Sequence, residues 1–503
     1  MKKFFTICLC LGIAAGLSFN GSRLVAADNP VLPPKQLKVV NSDVPGILVQ
    51  PTNQYADAGR SATFTVTATG DAPLSYSWTF NGSPVGTDSP TYVRSNCQVS
   101  DNGGRIRVTV RNARGSVQST IAILTVRWTG TNYYVSPSGS AGNNGLSPSS
   151  PWSLSHAMAQ VGVSNTINLL PGTYPTIYIY KRGCTVRSTV KWGAKVVGSP
   201  GSHAIYSADG IHNVMVEGVH VQSSYIDGIK INGTNSTIRG CWIQNAGRGH
   251  PSAVQNSNGS YTGQGISAYN LHGTVIEQNL IENCGMNTRK DHGMYVSGTN
   301  LVIRGNVVRN NLSWGIQVYD SYGDCRNVVV NNNLVYGNGV GALTIWSKYN
   351  HTNYILNNTL IASEYCVIAE NCRLVVANNI IMAGPSWYPC LAGPSGTIIY
   401  SSNNVFNKPS SAGDPRTASD LVTSNPGFLN TARGLYWLTS SSPARGRARK
   451  VTAFNYPNFF ADADLGSASR DAGAFEYDPS YAGDTRVLAP SPAVPDYWAR
   501  VLN

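Results

Sequence analysis

The densest run of chemically capable side chains is Arg289-Lys290-Asp291-His292, with Tyr295 three residues on. Histidine titrates near neutrality and can carry a proton without a large shift. A tyrosine needs basic neighbours to lower its pKa, and Arg289 and Lys290 supply them. Such a set suits removal of a proton beside a carboxylate, with the cations neutralising the charge that develops. Two plainer readings stand beside it: His292 as a solvated turn residue, and Tyr295 as a stacking platform.

Other candidates are far apart along the chain: Lys230, Tyr269, Gln317, Tyr319, Trp346 and Lys348. Arg248 and His250 sit in a stretch, 244–263, that makes its repeat 38 residues long against 27 for its neighbours. Long loops on rigid scaffolds often carry function. These residues meet only if the chain between them repeats, and it does. Ile276-Glu277-Gln278-Asn279-Leu280 aligns with Ile303-Arg304-Gly305-Asn306-Val307, with Val330-Asn331-Asn332-Asn333-Leu334, with Leu356-Asn357-Asn358-Thr359-Leu360 and with Val376-Ala377-Asn378-Asn379-Ile380. The fourth position is Asn279, Asn306, Asn333 and Asn379, with Thr359 in one repeat, and the steps are 27, 27 and 26 residues. Asparagine tolerates a left-handed turn, and its amide can bond to the next coil's, so this column reads as structural.

A second column follows each turn: Asp227-Gly228-Ile229-Lys230-Ile231, Gln264-Gly265-Ile266-Ser267-Ala268, His292-Gly293-Met294-Tyr295-Val296, Trp314-Gly315-Ile316-Gln317-Val318 and Gly341-Ala342-Leu343-Thr344-Ile345. Its third and fifth positions are apolar and face a core; the first, fourth and sixth face outward. Coils stack ~4.8 Å apart, so the outward positions make one flat face suited to an extended polymer.

Composition narrows the class. Of 503 residues 12% are charged, well under the usual ~25%, while Gly contributes 51 and Pro 27. That argues against long charged helices and for strands and turns. With 42% hydrophobic residues a core is available. The balance of 37 Lys+Arg against 25 Asp+Glu gives +12, which suits a polyanionic partner or simply a basic surface. Residues 1–27 have Lys2 and Lys3, an apolar run and a Val25-Ala26-Ala27 end, the pattern of a removable export signal. Its loss would leave about +9 and eight of the ten cysteines. The protein is thus expected to be secreted or periplasmic, with no membrane span. Some cysteines could pair there, Cys366 and Cys372 being closest in sequence, and no spacing fits zinc.

After a Pro-rich linker at 28–44, alternating runs such as Ala62-Thr63-Phe64-Thr65-Val66 and Arg105-Ile106-Arg107-Val108 read as a small antiparallel sandwich. With Trp78 and Ser100-Asp101-Asn102-Gly103 it resembles a bacterial immunoglobulin-like domain over 45–127. The resemblance puts Val66 and Val108 at the family's disulfide positions, implying a bridge-free core under the tryptophan and a spacer role.

Residues 131–480 resemble secreted β-helix proteins of the polysaccharide lyase and epimerase type. The resemblance rests on the repeat, on a short helix at 154–161 that would plug the open end, and on Asn425-Pro426-Gly427-Phe428 and Arg470-Asp471-Ala472-Gly473-Ala474-Phe475-Glu476-Tyr477 near the end. Residues 481–503 are read as a tail. The fold class expected is therefore all-β: a right-handed parallel β-helix after a small immunoglobulin-like sandwich.

The resemblance implies a monomeric enzyme cleaving an acidic, uronic-acid-containing polysaccharide by β-elimination, with His292, Tyr295, Lys230, Arg289 and Lys290 as catalytic residues. Arg248, His250, Tyr269, Gln317, Tyr319, Trp346 and Lys348 would bind substrate. The alternatives are a glycoside hydrolase or epimerase on this fold, or a non-catalytic glycan-binding or adhesive protein. Hydrolysis needs two carboxylates across the scissile bond, and Asp227, Asp291 and Asp320 are dispersed. Either no cofactor or calcium is expected, the latter with Asp291, Asp320 and Asp324 as candidate ligands. Nucleic acid is not expected as the polyanion, since no recognised motif is present.

Overall fold

The computed structural model describes residues 44–127, 130–248, 263–286, 290–320, 324–385, 387–394, 397–409, 417–449 and 472–474. The leader-like segment, the linker, the tail, Arg289 and His250 lie outside the described residues.

In the N-terminal part, the alternating runs form mainly antiparallel sheets. Ser75–Phe80 pairs with Gly104–Asn112, and Ala62–Thr65 with Thr91–Arg94. Period-2 alternation turns Phe64, Val66, Trp78, Tyr92, Ile106, Val108 and Val110 inward into one cluster. Trp78 lies opposite Val108 across the strand pair, as expected of a core that uses valine there, and its indole N–H donates to Ser89 O at 2.8 Å.

From Asn132 onward the chain winds into three parallel sheets. The first runs from Asn132–Val135 to Ile398–Ser402, the second from Gly172–Tyr174 to Leu421–Val422, the third from Ile177–Ile179 to Leu391–Ala392. Each coil between Thr166 and Ala392 contributes one short strand to each sheet. In the third sheet Ile229, Ile266, Met294, Ile316 and Leu343 stand in register and fully buried. The helix Leu154–Gln160 is capped by Ser153, whose Oγ accepts from His156 N. It sets Ala157 against the first coil and closes the interior at that end.

The asparagine column is a continuous ladder. The Asn279 backbone N–H and Nδ2 both donate to Asn306 Oδ1 at 3.0 Å; Asn306 bonds likewise to Asn333, Asn333 to Asn358, Asn358 to Asn379 and Asn379 to Asn404. Asp420 Oδ1 closes the series, accepting the Asn404 N–H at 2.8 Å. Two expectations are corrected here. Asn358 rather than Thr359 belongs to the column, because that coil is shorter and the step from Asn333 is 25 residues. The left-handed turn is taken by the preceding residue, Gln278, Gly305, Asn332, Asn357 or Asn378, while the ladder asparagines stay buried.

The cysteines also differ from expectation. All eight among the described residues are free and buried. Cys366 Sγ faces Leu360 O and Cys372 Sγ faces Ile345 O, so the nearest pair in sequence points to separate places inside the solenoid.

The sheets differ in what covers them. The outer apolar residues of the second, Leu280, Val307, Leu334 and Tyr336, are packed under Leu435, Tyr436 and Trp437 of a C-terminal hairpin. The outer face of the first carries an alternating column of charge, Arg187, Glu217, Arg239, Glu277 and Arg304. Arg239 meets Glu217 at 2.6 Å and Arg304 meets Glu277 at 2.7 Å. No helix among the described residues is long and apolar enough to cross a membrane.

Candidate active site

The candidate residues gather on the outer face of the third sheet. One register column runs Tyr178, Tyr206, Lys230, Ser267, Tyr295, Gln317 and Thr344, one residue per coil. Lys230 is therefore the in-register neighbour of Tyr206 on one side and Ser267 on the other. Tyr295 lies two coils beyond Lys230, ~10 Å along the sheet. A diagonal of aromatic rings crosses this column: Tyr269 to Tyr295 at 5.5 Å, Tyr295 to Tyr319 at 6.0 Å, Tyr319 to Trp346 at 5.4 Å. The Trp346 indole is fixed by donating to Thr344 Oγ1 at 2.8 Å. Sequence reasoning brought these rings together correctly because strand alternation and coil spacing alone decide it.

The cations take less ordered places. Lys290 and Lys348 are exposed, and Lys230 is half-buried. No salt bridge among the described residues engages any of the three. Arg248 is exposed just before the long insertion, its Nε donating to Gly285 O at 3.0 Å, which ties Arg248 to the next coil.

His292 is where the structure departs most from expectation. It is 4% exposed, and burial pushes its pKa down to about 3. Its Nδ1 accepts the Trp314 backbone N–H at 3.2 Å. With that lone pair committed, the neutral ring holds its proton on Nε2 and has no free acceptor for a substrate proton. The expectation that it titrates near neutrality on an open face is therefore corrected. Its ring still lies 5.6 Å from Tyr295.

The reason is a second ladder that the sequence did not reveal. At the corners before four successive strands of the third sheet, a side-chain acceptor takes the backbone N–H of the next coil. His203 Nδ1 accepts from Asp227, Asp227 Oδ1 from Gln264, Gln264 Oε1 from His292, and His292 Nδ1 from Trp314. The first positions expected to face outward at Asp227, Gln264 and His292 are thus buried corners. The glycines beside it keep it narrow: a Cβ on Gly265 would stand 2.6 Å from Gly293 O, and one on Gly293 would stand 2.6 Å from Gly315 O.

Asp227 belongs to this ladder rather than to an open carboxylate pair. Burial raises its pKa, but His203, the Ser267 hydroxyl and the Gln264 N–H outweigh it and hold the group below the usual carboxylate range. Ser267 donates to Oδ2 at 2.6 Å, and His203 Nδ1 lies 3.4 Å from the same oxygen. That nitrogen accepts from the Asp227 N–H when it carries no proton and donates to the carboxylate when it carries one, so it serves one partner at a time.

The carboxylates named for calcium do not converge. Asp291 is buried and accepts from Met286 N at 2.8 Å. Asp320 is buried, and Asp324 pairs with His351 at 3.3 Å. Among the described residues no group of three or more His, Cys, Asp or Glu could hold a metal ion, so the donor set does not fit a calcium site there.

Residues 182–360 match the family model for the right handed beta helix region. Over 54 residues the chain is 46% identical to Pectate lyase L of Dickeya dadantii (strain 3937), a match that spans 11% of this chain and only 13% of that protein. The crystal structure of pectate lyase Pel9A aligns with a TM-score of 0.51 at 18% identity, covering 70% of this chain and 97% of that one. The family model, the shared architecture and the three parallel sheets agree that this chain is built on a right-handed parallel β-helix.

Proposed function

We propose that the protein is an exported polysaccharide lyase that cleaves a uronic-acid-containing polymer by β-elimination along the outer face of the third sheet. The observation that carries this reading is the register column itself: Lys230, without a carboxylate partner among the described residues, stands in line with Tyr295 on a flat face crossed by four aromatic rings. The short likeness to Pectate lyase L supports the reaction class, and the leader-like residues 1–27 support export.

In β-elimination the C–H bond beside the carboxylate breaks, its electrons form a double bond, and the C–O bond to the leaving sugar breaks. One group must remove a proton and one must return a proton to the leaving oxygen. With His292 withdrawn into the corner ladder, Lys230 and Tyr295 fill these two roles. Lys290 and Arg248 meet the substrate carboxylate and neutralise the charge that grows on it. Hydrolysis is less well served, because both oxygens of Asp227 already accept hydrogen bonds.

The test is incubation with a panel of uronate polymers while following the ultraviolet absorbance of the conjugated double bond. A rise in absorbance with shortening of one polymer is the expected result. A polymer that binds yet never shortens would replace the lyase with a non-catalytic glycan-binding face.

A further inference from the structure

The first coils carry aromatic residues that the mechanism above leaves unused. Tyr178 and Tyr206 stack with ring centroids 4.4 Å apart and planes 18° from parallel. Tyr178 is 40% exposed, and Tyr180 lies 5.9 Å from it with Lys181 Nζ 5.3 Å over the Tyr180 ring. The strands beneath are anchored without them: Ile177, Ile179 and Ile205 point inward and are buried. A cross-strand aromatic pair steadies a sheet by only ~0.2–1 kcal/mol, a small return for leaving so much ring in water.

Position is the stronger argument. Tyr178 and Tyr206 are the first two members of the register column that continues through Lys230 and Ser267 to Tyr295. They lie on the side of Lys230 opposite the rings of Tyr269, Tyr295, Tyr319 and Trp346. Sugar rings stack on exposed aromatic faces, and Lys181 supplies a cation at the same edge for a carboxylate.

We propose that Tyr178 and Tyr206 form a second saccharide subsite, so that the acidic polymer is held on both sides of Lys230 and cut internally. The inference rests on the lyase reading of this face and adds to it the mode of cleavage. From Tyr178 to Thr344 the column spans six coil steps, ~29 Å, enough for several sugar rings.

The test compares Tyr178→Ala, Tyr206→Ala and the corresponding Phe variants of the full chain, using binding to the cleaved uronate polymer and the size of the products. The Ala variants are expected to bind the long polymer about tenfold more weakly with little change in kcat, to lose their preference for long over short oligomers, and to melt like the wild type. The Phe variants, which keep the stacking surface, are expected to bind normally. Ala variants that bind and cut like the wild type would overturn the subsite. A wild type that binds without cutting, while the Ala variants bind weakly, would leave the subsite standing and remove the lyase reading. A wild type that binds no uronate polymer would remove both.

Discussion

The outer faces of the first and third sheets are built on the same coils at the same spacing, yet they spend their charge in opposite ways. On the first sheet acids and bases alternate coil by coil, and Glu277 lies between Arg239 at 4.0 Å and Arg304 at 2.7 Å. On the third the outward column has a lysine, hydroxyls, an amide and aromatic rings, and no acid. A coil repeat thus turns a sequence column into a surface: alternating sign gives a self-neutralised seam, and a column with one lysine and no acid leaves that charge unmatched within it.

The sharpest way to break this contrast is on the third sheet. Lys230→Ala and Tyr295→Phe are each expected to cut turnover at least ~100-fold while leaving polymer binding largely intact, as single-turnover kinetics and binding assays would report. Full turnover in both variants would move the chemistry elsewhere. Glu277→Gln makes the matching change on the first sheet. It strips two arginines of their shared partner and is expected to cost about 1–3 kcal/mol in denaturant unfolding, with kcat unaltered.

His292 separates a fold role from a chemical one. His292→Ala leaves the buried Trp314 N–H without its acceptor and is expected to destabilise by ~1–3 kcal/mol. His292→Asn, which offers an amide oxygen there, should recover most of that, and turnover should follow stability. The same residue sets a pH dependence. An unfolded histidine titrates near ~6.5 and takes up a proton that the folded ring, at about 3, refuses. His220, pushed down to about 4 by burial and by Lys195, behaves alike. The unfolded chain then binds more protons, so their contribution is complete above ~6.5 and is lost as pH falls toward 3–4, at up to ~1.4 kcal/mol per pH unit for each ring. Melting between pH 7 and 4 checks it; a flat profile would contradict the buried neutral rings. The smallest effect is expected from Lys290→Ala: a few-fold weaker polymer binding, more evident at low salt.

How much of this could be read in advance depended on the kind of signal. Inward Ile316 and outward Tyr295 follow from strand alternation, and the ring-to-ring chain from Tyr269 to Trp346 follows from alternation plus coil length. His292 precedes its strand, where alternation no longer says which way a side chain points. Only the folded coil brings to it a backbone N–H that needs its lone pair. Thr359 was misplaced because an uneven coil shifts the alignment by one residue, an ambiguity that the Asn357-Asn358 doublet hides. Tyr178 and Tyr206 are not legible in the sequence, because their coils lack the Asn step that marks the others. The exposed basic residues were easy to name, but type alone could not separate Arg248, tied to Gly285, from Lys290.

The asparagine ladder has a consequence for how such a molecule changes over generations. Each rung asks only for an acceptor one coil on, and Asp420 supplies the last. A coil that brings its own asparagine at the right step can be copied or lost as a unit, and the rungs on either side rejoin. The length of the outer track is then set by duplication rather than by point substitution.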